Sequence, residues 1–111
     1  MKYKELTHTL YDCINHCNYC ADSCLEEEDV AKMRDCIRTD RVCAEVCSSL
    51  SQILATSYPD ILGLVEYCEK ICRACARECA KHEHGHCLEC AEACRKCAEA
   101  CKGYRGEPTF F

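Results

Sequence analysis

Polar and inward-type positions alternate along most of this chain in steps of three and four. The first stripe runs Leu6, Leu10, Cys13, Cys17, Cys20, Cys24, and the second Met33, Cys36, Asp40, Cys43, Cys47, Leu50, Leu54. A third runs Ile61, Val65, Cys68, Cys72, Cys75, Cys79, His82, and the last Cys87, Cys90, Cys94, Cys97, Cys101, Tyr104. Such spacing returns side chains to one face of an α-helix. It predicts four helices, at about residues 3–25, 29–56, 60–82 and 85–102.

The breaks have local causes. Leu25-Glu26-Glu27-Glu28-Asp29 is an acidic connection suited to the positive end of the next helix. Ser57-Tyr58-Pro59-Asp60 stops and restarts the helix, because proline cannot continue one. The run from Lys81 to His86 breaks at Gly85. Gly103 is expected to end the last helix, giving a bundle domain over 1–103 and an irregular tail over 104–111. Short connections make neighbours antiparallel. The expected fold is therefore all-α, an antiparallel up-down-up-down four-helix bundle with a cysteine-lined core.

That topology gives the bundle a polarity. Leu6, Leu10, Leu50, Leu54, Ile61 and Val65 collect at one end as an apolar plug. Met33, His82, His84 and His86 collect at the other, as a mouth with soft or borderline ligands. Between them lies a tube of sulfur.

Composition bounds what the tube can be for. The 111 residues make one domain, and sixteen are cysteine. The opening MKYKELTHTLYDC has no apolar run of signal-peptide length, and no stretch reaches the roughly 20 apolar residues of a membrane span. A cytoplasmic protein with reduced thiols is expected, with no membrane partner. The net charge of −5, with both signs mixed along the helices, offers no basic footprint for nucleic acid.

The thiols fall in a repeated module. Cys13-x3-Cys17-x2-Cys20-x3-Cys24 recurs from Cys68 to Cys79 and from Cys90 to Cys101. A fourth copy, from Cys36 to Cys47, carries Asp40 in one thiol slot, and Cys87 precedes the last copy by three. One or two buried cysteines usually act as small apolar residues. Sixteen replace far too much good packing for that. Disulfides within a helix are unsuitable, since i,i+3 and i,i+4 Cβ atoms stand about 5–6 Å apart. Iron–sulfur runs on loops, with a proline after the last cysteine, are absent, and the C-x2-C pairs lie inside helical stripes rather than on zinc-type turns.

Charge then separates zinc from Cu(I). Four tetrahedral zinc ions on sixteen thiolates leave a surplus of about eight negative charges in a dry core. A monovalent soft ion sharing bridging thiolates approaches one ion per thiolate and neutrality, and thiolates select Cu(I). Two-coordinate Cu(I) needs sulfurs roughly 4–5 Å apart, which i,i+4 cysteines reach by rotamer adjustment.

These residues resemble the cytosolic branch of the four-helix-bundle, cysteine-rich copper storage proteins. The resemblance spans about residues 10–102 and is carried by CIRTDRVCAEVC at 36–47, CEKICRACAREC at 68–79 and KHEHGHCLECAEAC at 81–94. It implies multiple Cu(I) ions per chain, held mainly by thiolates of C-x3-C pairs, and a His-bearing entrance. Carried over by position, the candidate ligands are Cys13, Cys17, Cys20, Cys24, Cys36, Cys43, Cys47, Cys68, Cys72, Cys75, Cys79, Cys87, Cys90, Cys94, Cys97 and Cys101. Asp40 takes the acidic slot of the second-helix motif. The tail GYRGEPTFF has no counterpart. Association into a homo-oligomer is also implied.

Other residues are weighed individually. Asp40 faces inward, either as a ligand or as a buried carboxylate paired with Arg34, Arg38 or Arg41. His82 and His86 are placed at the mouth as ligands, while His84 sits in the turn. His16 lies at a stripe edge and His8 on the surface; Met33 either ligates or packs. Tyr104, Phe110 and Phe111 are candidates to cover the plugged end. The functional expectation is a non-enzymatic store and buffer of cytosolic Cu(I), serving copper homeostasis and exchanging metal with a small thiol or a copper chaperone. The alternatives are zinc or general soft-metal buffering, and a thiol redox protein. The last needs an exposed, low-pKa cysteine, and only Cys87 stands close to a helix N-terminus.

Overall fold

The computed structural model describes residues 3–105. Four α-helices run in chain order: α1 (Lys4–Cys24), α2 (Arg34–Leu54), α3 (Leu62–Cys79) and α4 (Gly85–Arg105). A 3₁₀ turn over Val30–Met33 leads into α2. Each helix packs mainly on its neighbours in chain order, α1 on α2, α2 on α3, α3 on α4, and α4 back on α1. That closes a four-cornered antiparallel bundle with one axial core, as the short connections require. No helix is long and apolar enough to cross a membrane, among the described residues.

The core follows the stripes. All sixteen cysteines are fully buried. Leu6, Leu10, Leu50, Leu54, Ile61 and Val65 close one end. There Tyr104 lies edge-on to Tyr3, with ring centroids 4.6 Å apart. Leu10, Leu50 and Val65 have no exposed surface, and burial of such a side chain contributes about 1.5–3 kcal/mol. Ala21, Ala44, Ala76, Ala91 and Ala98 are buried beside the stripes, where small side chains let the helices approach.

Helix ends depart from the sequence reading in five places. Residues 29–33 precede α2 as a turn and 3₁₀ segment, so that helix begins at Arg34. Its end falls at Leu54, two residues short of the expected 56, and α3 begins at Leu62. Helix α3 also ends at Cys79, so His82 extends no stripe and stands in the connection to α4. Gly103 does not end α4, which continues through Tyr104 to Arg105. Gly103 has no positive φ, and a glycine without one can remain helical at a cost of about 1 kcal/mol. Residues 106–111, with Phe110 and Phe111, lie outside the described residues.

Candidate metal centre

The four-three-four spacing stacks the thiols of each helix, and antiparallel packing interleaves the four stacks. Sulfur contacts therefore run both along and across helices. Cys13 Sγ lies 4.0 Å from Cys17, 3.8 Å from Cys43 and 3.8 Å from Cys94. Cys47 lies 3.7 Å from both Cys68 and Cys72 and 3.9 Å from Cys97. Cys36 and Cys79 approach to 3.4 Å. All sixteen thiols are free.

The donors group into overlapping fours, each with its ligand atoms mutually within 4.8 Å. Starting toward the plug, Cys13, Cys47, Cys72 and Cys97 form one group. Cys13 belongs also to the next, with Cys17, Cys43 and Cys94. Cys17 and Cys94 then join Cys75 and Cys90. Cys90 continues to Cys20, Asp40 and Cys79, and Cys20 finally meets Cys24, Cys87 and His86 at the mouth. Neighbouring groups thus share a sulfur at every step. Three ligands around an ion with bonds of about 2.3 Å stand about 4.0 Å apart, close to the contacts already present.

Asp40 sits inside this column with no exposed surface. Its Oδ1 accepts from the thiols of Cys75 at 3.2 Å, Cys79 at 3.3 Å and Cys90 at 3.3 Å. Cys36 donates to Oδ2 at 3.8 Å. The arginine partner considered from sequence is not used: Arg38 pairs with Asp35 at 3.5 Å, and Arg34 and Arg41 are exposed. Burial first, then the neighbouring Cys90 and Cys75 sulfurs, push the Asp40 pKa far above the ordinary carboxylate range. The carboxyl is a neutral acid in the metal-free core.

The thiols titrate as an interacting set. Cys17 and Cys72 are pushed up chiefly by Cys13, and Cys79 by Cys20, with burial adding to each. At the mouth, contacts from the Cys36 and Cys79 thiols, with help from the His86 ring, hold Cys20 down to about 5. Cys24 and Cys87 are raised, by burial and then by the charge on Cys20. Cys87 is therefore neither exposed nor acidic, and the requirement of a redox-active thiol is not met there.

The histidines separate by position. His86, in the first turn of α4, directs Nδ1 to Cys20 Sγ at 3.4 Å and Cys87 Sγ at 3.5 Å. Burial opposes its protonation, but Cys20 and Glu27 outweigh that and raise its pKa. His82 shares a mouth cavity of about 410 Å³ with Met33, His84 and Glu27. His16 turns outward to Asp12, 3.8 Å away, and His8 is exposed. Met33 is buried at the same mouth. Glu27 was legible only as part of an acidic connection; its approach to two histidines of another loop is a tertiary fact.

Free thiols at contact distance, chained from group to group, define a helical bundle built for soft metal ions. Within that class its family is clear. The sequence model of the copper storage proteins matches residues 1–106, and this chain belongs to that family. It is 43% identical over 82 residues to an uncharacterized cysteine-rich protein of Bacillus subtilis, YhjQ, covering 74% of this chain and 76% of that one. It is similar to the Cu(I)-bound copper storage protein BsCsp3, at 38% identity and TM-score 0.88, covering 93% of this chain and 97% of the other. A cytosolic copper storage protein from Streptomyces lividans, with five coppers, superposes at TM-score 0.92 with 37% identity, over 96% of this chain and 94% of that one.

Proposed function

We propose that this chain takes several Cu(I) ions into its core and holds them on shared thiolates, storing and buffering copper in the cytosol. The observation that carries this reading is the overlap of the four-donor groups, each passing a sulfur to the next. Separate zinc sites need no such sharing. The ligand set is the sixteen cysteines with Asp40 and His86, while His82 lines the mouth through which ions pass. Each Cu(I) that meets a protonated thiol displaces its proton, so the core stays near neutral as it fills. The donors are already within about 1 Å of the sulfur spacing that two- or three-coordinate Cu(I) needs, and little ordering cost opposes loading.

Ions enter where imidazole meets sulfur. His86 offers Nδ1 beside Cys20, the thiol held most acidic at the mouth, so a first ion meets a thiolate without prior proton loss. Storage rather than catalysis is favoured, because the mouth cysteine nearest a helix N-terminus is buried and its pKa is raised. Exchange with small thiols or a copper chaperone would occur at this end, and homo-oligomers would use the outer helix faces.

An anaerobic Cu(I) titration of fully reduced protein against a chromophoric chelator tests the reading. Tight binding is expected to break near the number of thiols, sixteen per chain. A break at about four ions or fewer would return zinc or redox chemistry to the front.

A further inference from the structure

The two loops that close the mouth assemble a second set of donors that faces away from the thiols. Glu27 comes from the connection between α1 and α2, His82 and His84 from that between α3 and α4. Glu27 Oε2 lies 3.0 Å from His84 Nδ1, and Oε1 lies 3.5 Å from His86 Nε2. The His84 and His86 rings are parallel, with an interplanar angle of 1° and centroids 5.4 Å apart. His86 thus presents one nitrogen to sulfur and the other to oxygen.

A second observation points to a ligand. Nε2 of His86 and Nε2 of His82 are both buried without a hydrogen-bond partner. The Glu27 oxygen 3.5 Å from His86 Nε2 acts on it through charge without making a full hydrogen bond. Unsatisfied buried groups of this kind cost about 1–3 kcal/mol and call for a water or an ion. Space is present, since His82, His84 and Glu27 line the open mouth cavity together with Glu28 and Asp29. Lys32 also lines it, but lies 3.7 Å from Asp29.

We propose that Glu27, His84 and the Nε2 of His86, with His82 at the wall, bind one divalent cation of borderline softness, for which zinc is the natural fit. The donor chemistry carries the choice. Two imidazoles and a carboxylate with an open position suit Zn²⁺, whereas Cu(I) prefers the sulfur a few ångströms inward. A tetrahedral zinc with bonds of about 2.0–2.2 Å has ligand–ligand edges of about 3.3–3.6 Å. The separations of 3.0 Å from Oε2 to His84 and 3.5 Å from Oε1 to His86 lie near those edges, with the two carboxylate oxygens spanning the two imidazoles. Three carboxylates around the cavity offset a double charge that the thiol column, near neutral when filled, would not attract. The two ions sort by softness on opposite sides of one imidazole, which releases its remaining N–H proton to solvent as the second ion binds.

The test is an anaerobic Zn²⁺ titration of Cu(I)-saturated protein, counting metal after dialysis, with a parallel Co²⁺ titration read by absorption. One further zinc per chain is expected. Its cobalt substitute should show ligand-field bands without thiolate-to-cobalt charge transfer. Glu27→Gln and His84→Ala should each weaken zinc at least tenfold while leaving the Cu(I) count unchanged. No additional ion, affinity unmoved by both variants, or sulfur charge transfer for that ion would each overturn the proposal. The storage reading fails on a different observable, the Cu(I) count. On copper-free protein, an ion lost in Glu27→Gln without loss of sulfur charge transfer still reports the outer site; its absence there overturns the proposal equally.

Discussion

Asp40 is the one carboxyl buried in the thiol column, among the described residues. A buried carboxylate among thiols has no cation to face, so the group keeps its proton, whereas its ordinary pKa is 3.8. Above that pH the unfolded chain releases a proton that the folded chain retains. The folded state then binds more protons, and stability falls as pH rises, by at most about 1.4 kcal/mol per pH unit from this one group. His86, also raised, adds loss in the same direction as pH climbs through and beyond its ordinary 6.5. Cys20, held down to about 5, contributes with the opposite sign above that pH, so the Asp40 contribution is read against Asp40→Asn. Relative to that variant, copper-free wild type is expected to lose resistance to urea from pH 5 to pH 6, where His86 contributes little. A variant whose urea midpoints track the wild type at both pH values would mean that Asp40 is ionised in the native core.

At the scale of the element, α4 shows how a local signal yields to context. Gly103 reads as a stop, but Tyr104 packs on Tyr3 and draws one more turn into the helix. A Cβ built at Gly103 meets nothing within 4 Å, and φ there is not positive. Gly103→Ala should therefore stabilise the bundle by about 0.4–1 kcal/mol, mainly by restricting the unfolded chain. Thermal melting would register this as a rise of a few degrees in Tm. A fall in Tm would place the helix end where the glycine first suggested it. The opposite case is α3, which stops three residues before His82 although the three-four spacing continues. The spacing persists into the loop, where His82 lines the mouth cavity.

For the whole molecule, the division into plug and column separates folding from loading. The plug residues pack with no help from metal, and the helices hold their own backbone hydrogen bonds. Removing copper should leave the far-ultraviolet circular dichroism helical, while loading should raise Tm through ligand binding to the native state alone. Loss of helicity on chelation would show that the metal builds the bundle. The thiol column contributes less to stability than a leucine core of the same length, because cysteine buries less apolar surface.

Much of this was readable from residue spacing alone. Four stripes with a three-four period require four helices, and short breaks require antiparallel neighbours, so the all-α bundle and its plug-to-mouth polarity followed from Leu6, Leu50, Val65 and their partners. The repeated cysteine module carried the soft-metal chemistry, because no other use explains thiols at nearly every inward position. Spacing reports which face a residue occupies, but not what lies across from it. Only packing decided that Asp40 meets three thiols instead of an arginine, and that Cys87 is buried rather than reactive. Only packing joined Cys13, Cys43 and Cys94 from three helices, or brought Glu27 to His84 across 57 positions of chain. Periodicity is a property of one helix, whereas a site made where helices and loops meet depends on rotations and end points that several segments settle together.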